Sequence, residues 1–229
     1  MDKESKYAIH AAAREGRVAI ADPKLAFLKD EDGRLPIHWA ASSNQFEIAS
    51  LLVQQKNFDP DVQDDMGWTP LMIAASVKEG EKLVDLLLSK GADVNEKNTS
   101  GQTALHFVTS KNNIDLARKF FELKPPASAR VKDTRGQYAL HRAAAIGSVP
   151  MINLLVKNKS PLNATDVTGY TALHHAVAEG HGDAAVALLK AGADADKRDG
   201  EGKLAFELAP DREVRKYIER AAEMEDINI

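Results

Sequence analysis

The chain of 229 residues contains no cysteine, which excludes disulfide cross-links, thiolate zinc sites and cysteine nucleophiles. Aromatic residues are scarce at 6%, while alanine and leucine are plentiful, a bias toward helix over strand. An excess of one charge sign is also missing: 30 Lys and Arg stand against 34 Asp and Glu, a formal net charge of −4. So near a balance gives no electrostatic footprint for nucleic acid and no polybasic membrane anchor. No apolar run approaches the length of a membrane span. The opening MDKESKYAIH lacks the apolar core of a signal peptide, so none is expected. The 44% hydrophobic content suffices for a packed core. The composition reads as a soluble intracellular protein.

What is present is a repeat. Glycines at Gly33, Gly67, Gly101, Gly136, Gly169 and Gly202 follow one another at spacings of 34, 34, 35, 33 and 33 residues. Each precedes a related segment: RLPIHWAA, WTPLMIAA, QTALHFVT, QYALHRAA, YTALHHAV and KLAFELAP. A seventh copy, KYAIHAAA, opens at Lys6 without its own glycine turn. His10, His38, His106, His141 and His174 hold one register position, which Met72 and Glu207 take in the other two copies.

Physical chemistry assigns a role to each part of the copy. The glycine supplies a turn with positive φ. Thr69, Thr103 and Thr171 are placed to cap a helix, and Pro36 and Pro70 suit its first turn. A short helix of small residues follows, such as Ala143, Ala144 and Ala145, which lets neighbouring repeats approach closely. A second gap carries Gly16, Gly80, Gly147 or Gly180. A longer helix then brings paired apolar residues: Leu51-Leu52, Leu86-Leu87, Phe120-Phe121, Leu154-Leu155 and Leu188-Leu189. One such helix pair cannot bury its own apolar face, but stacked pairs can. The period and the T-P-L-H-x-A register resemble the ankyrin repeat, most closely at Gly67-Trp68-Thr69-Pro70-Leu71 and Gly169-Tyr170-Thr171-Ala172-Leu173-His174. The fold class expected is an all-α ankyrin-repeat solenoid of seven helix-turn-helix repeats with short hairpin-like turns. It is read as a single domain over 1–229, with repeats at about 5–29, 30–63, 64–96, 97–132, 133–165, 166–198 and 199–222 and an acidic tail at 223–229. The first copy is short, the last loses its histidine, and both ends read as caps. Pro125-Pro126 should alter the loop that closes the fourth repeat.

No constellation for catalysis stands out. The register histidines can each accept from one backbone group and donate to another, and stacking spaces them along the chain's repeats. His174, His175, His181 and Asp183 form the one local cluster, but adjacent helical residues point about a quarter-turn apart. There is no phosphate-binding glycine loop and no nucleophile elbow. Asp30-Glu31-Asp32 and Asp64-Asp65 read as solvated turn carboxylates, without the alternating ligands of a calcium loop. No catalytic residue, cofactor or metal is assigned, and the chain reads as a binding protein rather than an enzyme.

In ankyrin stacks, turn tips and first helices line a concave face. Packing fixes the framework, so free choice falls on the two residues before each glycine, the one after it, and the ninth and tenth after it. The partner-binding candidates on this row are Arg14, Glu15, Asp32, Arg34, Ser43, Asp65, Met66, Trp68, Val77, Gln102, Lys111, Arg135, Tyr170 and Glu179. Lys6 falls in line with them. Trp39 and Arg142, each following a register histidine, join the set, with core packing the alternative role for Trp39. Trp68 and Tyr170 at turn tips, together with arginine, are the residue types that anchor interfaces. Both charge signs along the row favour orientation of a complementary partner.

Several longer segments carry a narrower resemblance: Asp32-Gly33-Arg34-Leu35-Pro36-Ile37-His38-Trp39, Gly67-Trp68-Thr69-Pro70, Leu140-His141-Arg142-Ala143-Ala144, and Ala178-Glu179-Gly180-His181-Gly182-Asp183-Ala184-Ala185-Val186. With the seven-repeat length they resemble the gankyrin family, most of all its fungal members. The resemblance implies an assembly chaperone of the proteasome regulatory particle. Such a chaperone holds the C-terminal domain of one base ATPase on its concave face and prevents premature docking on the core particle. It further implies that Arg34 and Lys111 pair with acidic residues of the ATPase, while Asp32, Asp65 and Glu179 meet basic ones. A monomer is expected when the chain is alone. The family's mammalian L-x-C-x-E segment for a retinoblastoma-type partner is absent, since His175-Ala176-Val177-Ala178-Glu179 stands there. The alternative is a general ankyrin adaptor for a signalling or transcription partner.

Overall fold

The computed structural model describes residues 8–17 and 23–227. Lys6 and the last two residues of the tail lie outside them. The described residues form twelve α-helices and two 3-10 turns, and their only bridges are the isolated pairs Lys132–Tyr138 and Arg198–Leu204. None of these helices is long and apolar enough to cross a membrane. The chain divides into two compact units, Met1–Phe107 and Val108–Ile229.

The first unit contains α1 (Ala8–Glu15), a 3-10 turn (Pro23–Phe27), α2 (Pro36–Ser42), α3 (Phe46–Leu52), α4 (Pro70–Ser76) and α5 (Glu81–Ser89). Helix α6 (Ala104–Ser110) spans the division. The second unit contains α7 (Ile114–Glu122), α8 (Ala139–Ala145), α9 (Val149–Lys157), α10 (Ala172–Ala178), α11 (Gly182–Lys190), a 3-10 turn (Ala205–Leu208) and α12 (Arg212–Met224). In the first unit α1 packs on α2, α2 on α3 and α4, and α3 on α5. In the second, α8 packs on α10, α9 on α7 and α11, and α11 on α12. Within each unit, first helices pack on first helices and second helices on second helices, the stacking of ankyrin repeats.

The second helices share one burial pattern: Ile48, Ala49 and Leu52; Leu83, Val84 and Leu87; Leu116, Ala117 and Phe120; Met151, Ile152 and Leu155; Ala184, Ala185 and Leu188. Positions i, i+1 and i+4 make one helical stripe. The apolar pairs in the sequence therefore divide: Leu52, Leu87, Phe120 and Leu155 are fully buried, while Leu51 is 38% exposed. Thr69 and Thr171 cap their helices by accepting from Met72 N–H and His174 N–H.

The ends depart from the regular unit where their sequences do. Among the described residues the first copy shows a 3-10 turn at Pro23–Phe27 after α1, and the last copy has one at Ala205–Leu208 in place of a first helix. There Glu207 takes over the histidine's role and accepts the Leu204 N–H at 2.6 Å, and Pro210 lacks the N–H that continued helix needs. The tail starts later than expected: α12 runs to Met224, and Glu225 pairs with Lys190 at 2.8 Å. The loop after α7 carries a cis Lys124–Pro125 bond. Repeat three also corrects one glycine. Its left-handed residue in the second gap is Glu79 (φ 60), while Gly80 has φ −79 and precedes α5.

The repeat glycines all have φ between 72° and 83°, and at Gly33, Gly67, Gly136 and Gly169 a Cβ would also crowd the next turn, whereas at Gly202 it would meet nothing within 4 Å. A Cβ on Gly169 would lie 2.4 Å from the Gly200 nitrogen, because Gly200 N–H donates to Thr168 O at 2.9 Å. The same turn-to-turn bond joins Asp65 to Asp32, Thr99 to Met66, and Val167 to Arg135, each at 3.0 Å. Gly192 is also left-handed, at φ 91, but a Cβ there meets nothing within 4 Å. Gly192→Ala should therefore cost only the backbone penalty, about 1 kcal/mol. Gly169→Ala should add a steric clash with the neighbouring turn, for roughly 2–4 kcal/mol in all. Urea unfolding followed by circular dichroism checks this; equal losses in the two variants would remove the packing role from the turn.

Candidate partner-binding surface

The candidate surface is built from turns, and each turn is built on one oxygen. Three residues before every repeat glycine stands Asp30, Asp64, Asn98, Asp133, Asp166 or Asp199. In all six, Oδ1 accepts the backbone N–H groups two and four residues on, at 2.9–3.0 Å. These are Asx-type turns. Asp64, Asp133, Asp166 and Asp199 are buried. The reading of Asp30 and Asp64 as solvated carboxylates is thus corrected, whereas Glu31, Asp32 and Asp65 are exposed as expected. The signal was present in the sequence: the Asp/Asn series repeats at the same spacings as the glycines.

His10, His38, His141 and His174 fasten their first helices to the turn that follows. Nδ1 accepts a backbone N–H three residues back: Leu35 to His38 and Thr103 to His106 at 3.0 Å, Tyr138 to His141 at 3.1 Å, Thr171 to His174 at 3.3 Å. An accepting Nδ1 places the proton on Nε2. Nε2 then donates onward: His38 to the Val62 and Trp68 carbonyls at 3.1 Å, His141 to Ala164 at 3.1 Å, His174 to Lys203 at 3.3 Å. His10 makes the equivalent bonds to Leu28 and Arg34. Burial pushes His38, His141 and His174 below the ordinary imidazole value. The suspected cluster does not converge. His174 reaches Lys203, His175 reaches Asp166, His181 reaches Ala145, and Asp183 accepts from Tyr217. Among the described residues no group of three His, Cys, Asp or Glu could hold a metal ion.

The second oxygen of the turn carboxylate faces the candidate surface. In the first unit Asp30 Oδ2 accepts the Trp39 indole N–H at 2.7 Å, and Asp64 Oδ2 accepts Arg34 Nε at 3.0 Å. The Arg34 and Arg14 guanidiniums lie 5.3 and 5.9 Å from the Trp39 ring centre, a cation–π arrangement. Trp39 is half-buried, so its role is divided between the repeat and the surface. Arg14, Asp32 and Trp39 line one depression together with His10, Ala11, Asp30 and Glu31. Glu15 pairs with Arg17 at 2.7 Å. Trp68 stacks on Phe107 at 4.3 Å between ring centres, a partner that spacing alone did not reveal. Met66 is 59% exposed beside it in sequence. Asp65 is exposed, Ser43 and Val77 are half-buried, and Gln102 accepts from Asn98 at 3.2 Å.

In the second unit Lys111, Arg135 and Glu179 are exposed. Arg142 is not: its side chain is 13% exposed and donates to Asp133 at 2.9 Å and to Ser110 at 3.2 Å. Tyr170 stacks on His174 at 5.5 Å and meets His175 edge-on at 5.4 Å. His175, absent from the candidates, joins the surface through Asp166 Oδ2 at 3.0 Å. Burial pushes the Asp166 carboxyl up, but hydrogen bonds from Thr168, His175 and Gln137 outweigh this and hold it at about 2. Burial likewise opposes Asp133, where bonds from Gln137 and Arg142 prevail and lower it. Such a surface can bind charged and aromatic groups.

A family profile described as ankyrin repeats matches residues 1–64, 56–125 and 105–199. The chain is 40% identical over 228 residues to the probable 26S proteasome regulatory subunit p28 of Saccharomyces cerevisiae, covering 93% of this chain and 98% of that protein. It is 37% identical over 211 residues to the ankyrin repeat-containing protein C6C3.08 of Schizosaccharomyces pombe, covering 91% and 89%. The solved ankyrin repeat domain of Bcl-3 superposes with a TM-score of 0.74 at 22% identity, over 92% of this chain and 97% of that one. That last likeness concerns the fold.

The lowered groups set two pH windows. A group with a depressed folded value gives stability that is complete above its unfolded value and lost as pH falls toward the folded one. For His38, His141 and His174 the loss begins below about 6.5. For Asp30, Asp133, Asp166 and Asp199 it begins below about 3.8. Asp61, raised by burial, works the other way as one group against four. The urea midpoint should therefore fall between pH 7.5 and pH 5 and fall again below pH 4. His38→Gln should flatten the first decline; an unchanged slope would remove the histidines as its source.

Proposed function

The chain belongs to the gankyrin family of ankyrin-repeat proteins, with fungal relatives, and from that membership we propose that it is an assembly chaperone of the proteasome regulatory particle. In this reading it holds the C-terminal domain of one base ATPase on its concave face and keeps that ATPase from docking early on the core particle. It acts by binding, not by catalysis, as one seven-repeat domain that is monomeric when alone, in the cytoplasm and nucleus. The observation that carries the reading is the identity with the yeast proteasome subunit over nearly the full length of both chains.

The surface chemistry supports it. In this reading Arg34, half-buried, and Lys111, exposed, meet carboxylates of the partner. Asp32, Asp65 and Glu179 are exposed and suit basic partner residues. A second reading, an adaptor for a signalling or transcription partner, draws on the Trp68–Phe107 stack with Met66 exposed nearby in sequence, since aromatic anchors suit many partners.

Co-expression with the isolated C-terminal domain of each base ATPase tests the proposal. One domain should co-purify; co-purification with none would overturn it in favour of the adaptor. Arg34→Glu combined with Lys111→Glu should weaken the complex at least about tenfold, with the helical circular dichroism signal retained. Affinity should also fall as salt rises from about 50 to about 500 mM. An affinity indifferent to both changes would reject the charged contacts.

A further inference from the structure

We propose that Asp64 is a positioning residue for partner binding: its buried carboxylate presets Arg34 so that the outer edge of the guanidinium meets a carboxylate of the partner. This rests on the reading above, in which Arg34 pairs with an acidic residue.

Asp64 has two oxygens with two tasks. Oδ1 closes the turn by accepting Met66 and Trp68 N–H at 3.0 and 2.9 Å. Oδ2 takes Arg34 Nε at 3.0 Å, and the Asp64 side chain is only 2% exposed. The Trp39 ring, 5.3 Å from Arg34 Cζ, supports the guanidinium from its face. Arg34 is thus held at one edge and one face, yet its side chain remains 29% exposed. Among the described residues Nε makes the guanidinium's only hydrogen bond. The two Nη groups form the edge that can grip a carboxylate with two parallel bonds. Fixing the long side chain beforehand removes much of the ordering cost of binding.

Two comparisons within the chain sharpen the assignment. Arg142 has the same kind of anchor, Asp133, but spends Nη2 on Asp133 and Nη1 on Ser110, and its Nε is buried without a partner. It has no free edge and is a structural cation. In repeat four the turn residue is Asn98. It makes the same two turn bonds, at 3.0 and 2.9 Å, but its Nδ2 donates to Gln102 and it anchors no cation. The turn therefore tolerates an amide, so Asp64→Asn removes the anchor while keeping the turn.

The test uses the full chain with 15N-labelled arginine, the Arg34 Nε–H signal being identified by its loss in Arg34→Lys. Titration with acetate at constant ionic strength should shift that signal saturably in the wild type. In Asp64→Asn the same proton should exchange faster with solvent and lose the saturable shift. Equal responses in the two proteins, or no saturable shift in the wild type, would overturn the positioning role without reference to any protein partner. A second arm measures the co-purifying ATPase domain. Asp64→Asn should weaken it about tenfold, the worth of one oriented charge-assisted hydrogen bond, with no further loss in an Arg34→Ala background. A loss that persists in that background would confine Asp64 to its turn and overturn the proposal. Absence of binding to every ATPase domain would instead strike the chaperone reading, leaving the acetate arm to decide on Asp64.

Discussion

The structure depends on satisfying two backbone N–H groups at the tip of every repeat. A turn that must pack against the next turn cannot leave those donors to water, and an unpaired buried donor is costly. One Asx oxygen per repeat takes both, in all six turns that possess a glycine. The glycine three residues later belongs to the same geometry: the chain reverses there with positive φ, and at Gly67, Gly136 and Gly169 the neighbouring backbone is also too close for a Cβ. Turn, glycine and turn-to-turn hydrogen bond are one device repeated.

The histidines couple that device to the helices. His38, His141 and His174 each accept from their own helix start and donate to the turn beyond, so a first helix and the following turn are placed together. The arrangement requires the neutral ring. A second proton on Nδ1 would face an N–H rather than an acceptor, and burial already disfavours the charge. Stability in such a stack lies between neighbours more than within a repeat. The paired bonds of each histidine are a concrete instance, because one half of the pair is lost if the next turn is absent.

The helix-pair repeat was legible because it rests on strict spacing: glycines, histidines and apolar pairs each return at one period. The reduced ends were legible too, from the missing histidine at Glu207 and the short interval from His10 to His38. The turn carboxylates share that period, yet an acidic residue in a turn is so often solvated that composition gave no reason to bury it. Other contacts were not legible at all. That Trp68 lies on Phe107, or that His175 reaches back to Asp166, depends on rotamers and on the offset between repeats. The left-handed Glu79 in place of Gly80 is of the same kind: Gly80 follows Gly67 by 13 residues where Gly147 follows Gly136 by 11, and the two extra residues can be absorbed at more than one position.

Residue type alone therefore does not identify the groups that can meet a partner. Arg34 and Arg142 both sit on the candidate row and both touch a buried turn aspartate. The difference lies in which nitrogen makes the contact. Bonding through Nε leaves the far edge of Arg34 outward, whereas bonding through both Nη groups turns the fork of Arg142 onto its own repeat and the preceding one. An arginine whose Nη groups are both engaged internally holds the fold together and offers a partner carboxylate no edge. One whose carboxylate partner takes only Nε–H keeps its outer edge available at the surface, although its charge is matched in the same way. Which side of that division a cation falls on is set by the turn carboxylate beneath it, so the residues that build the repeat also decide what its face can recognise.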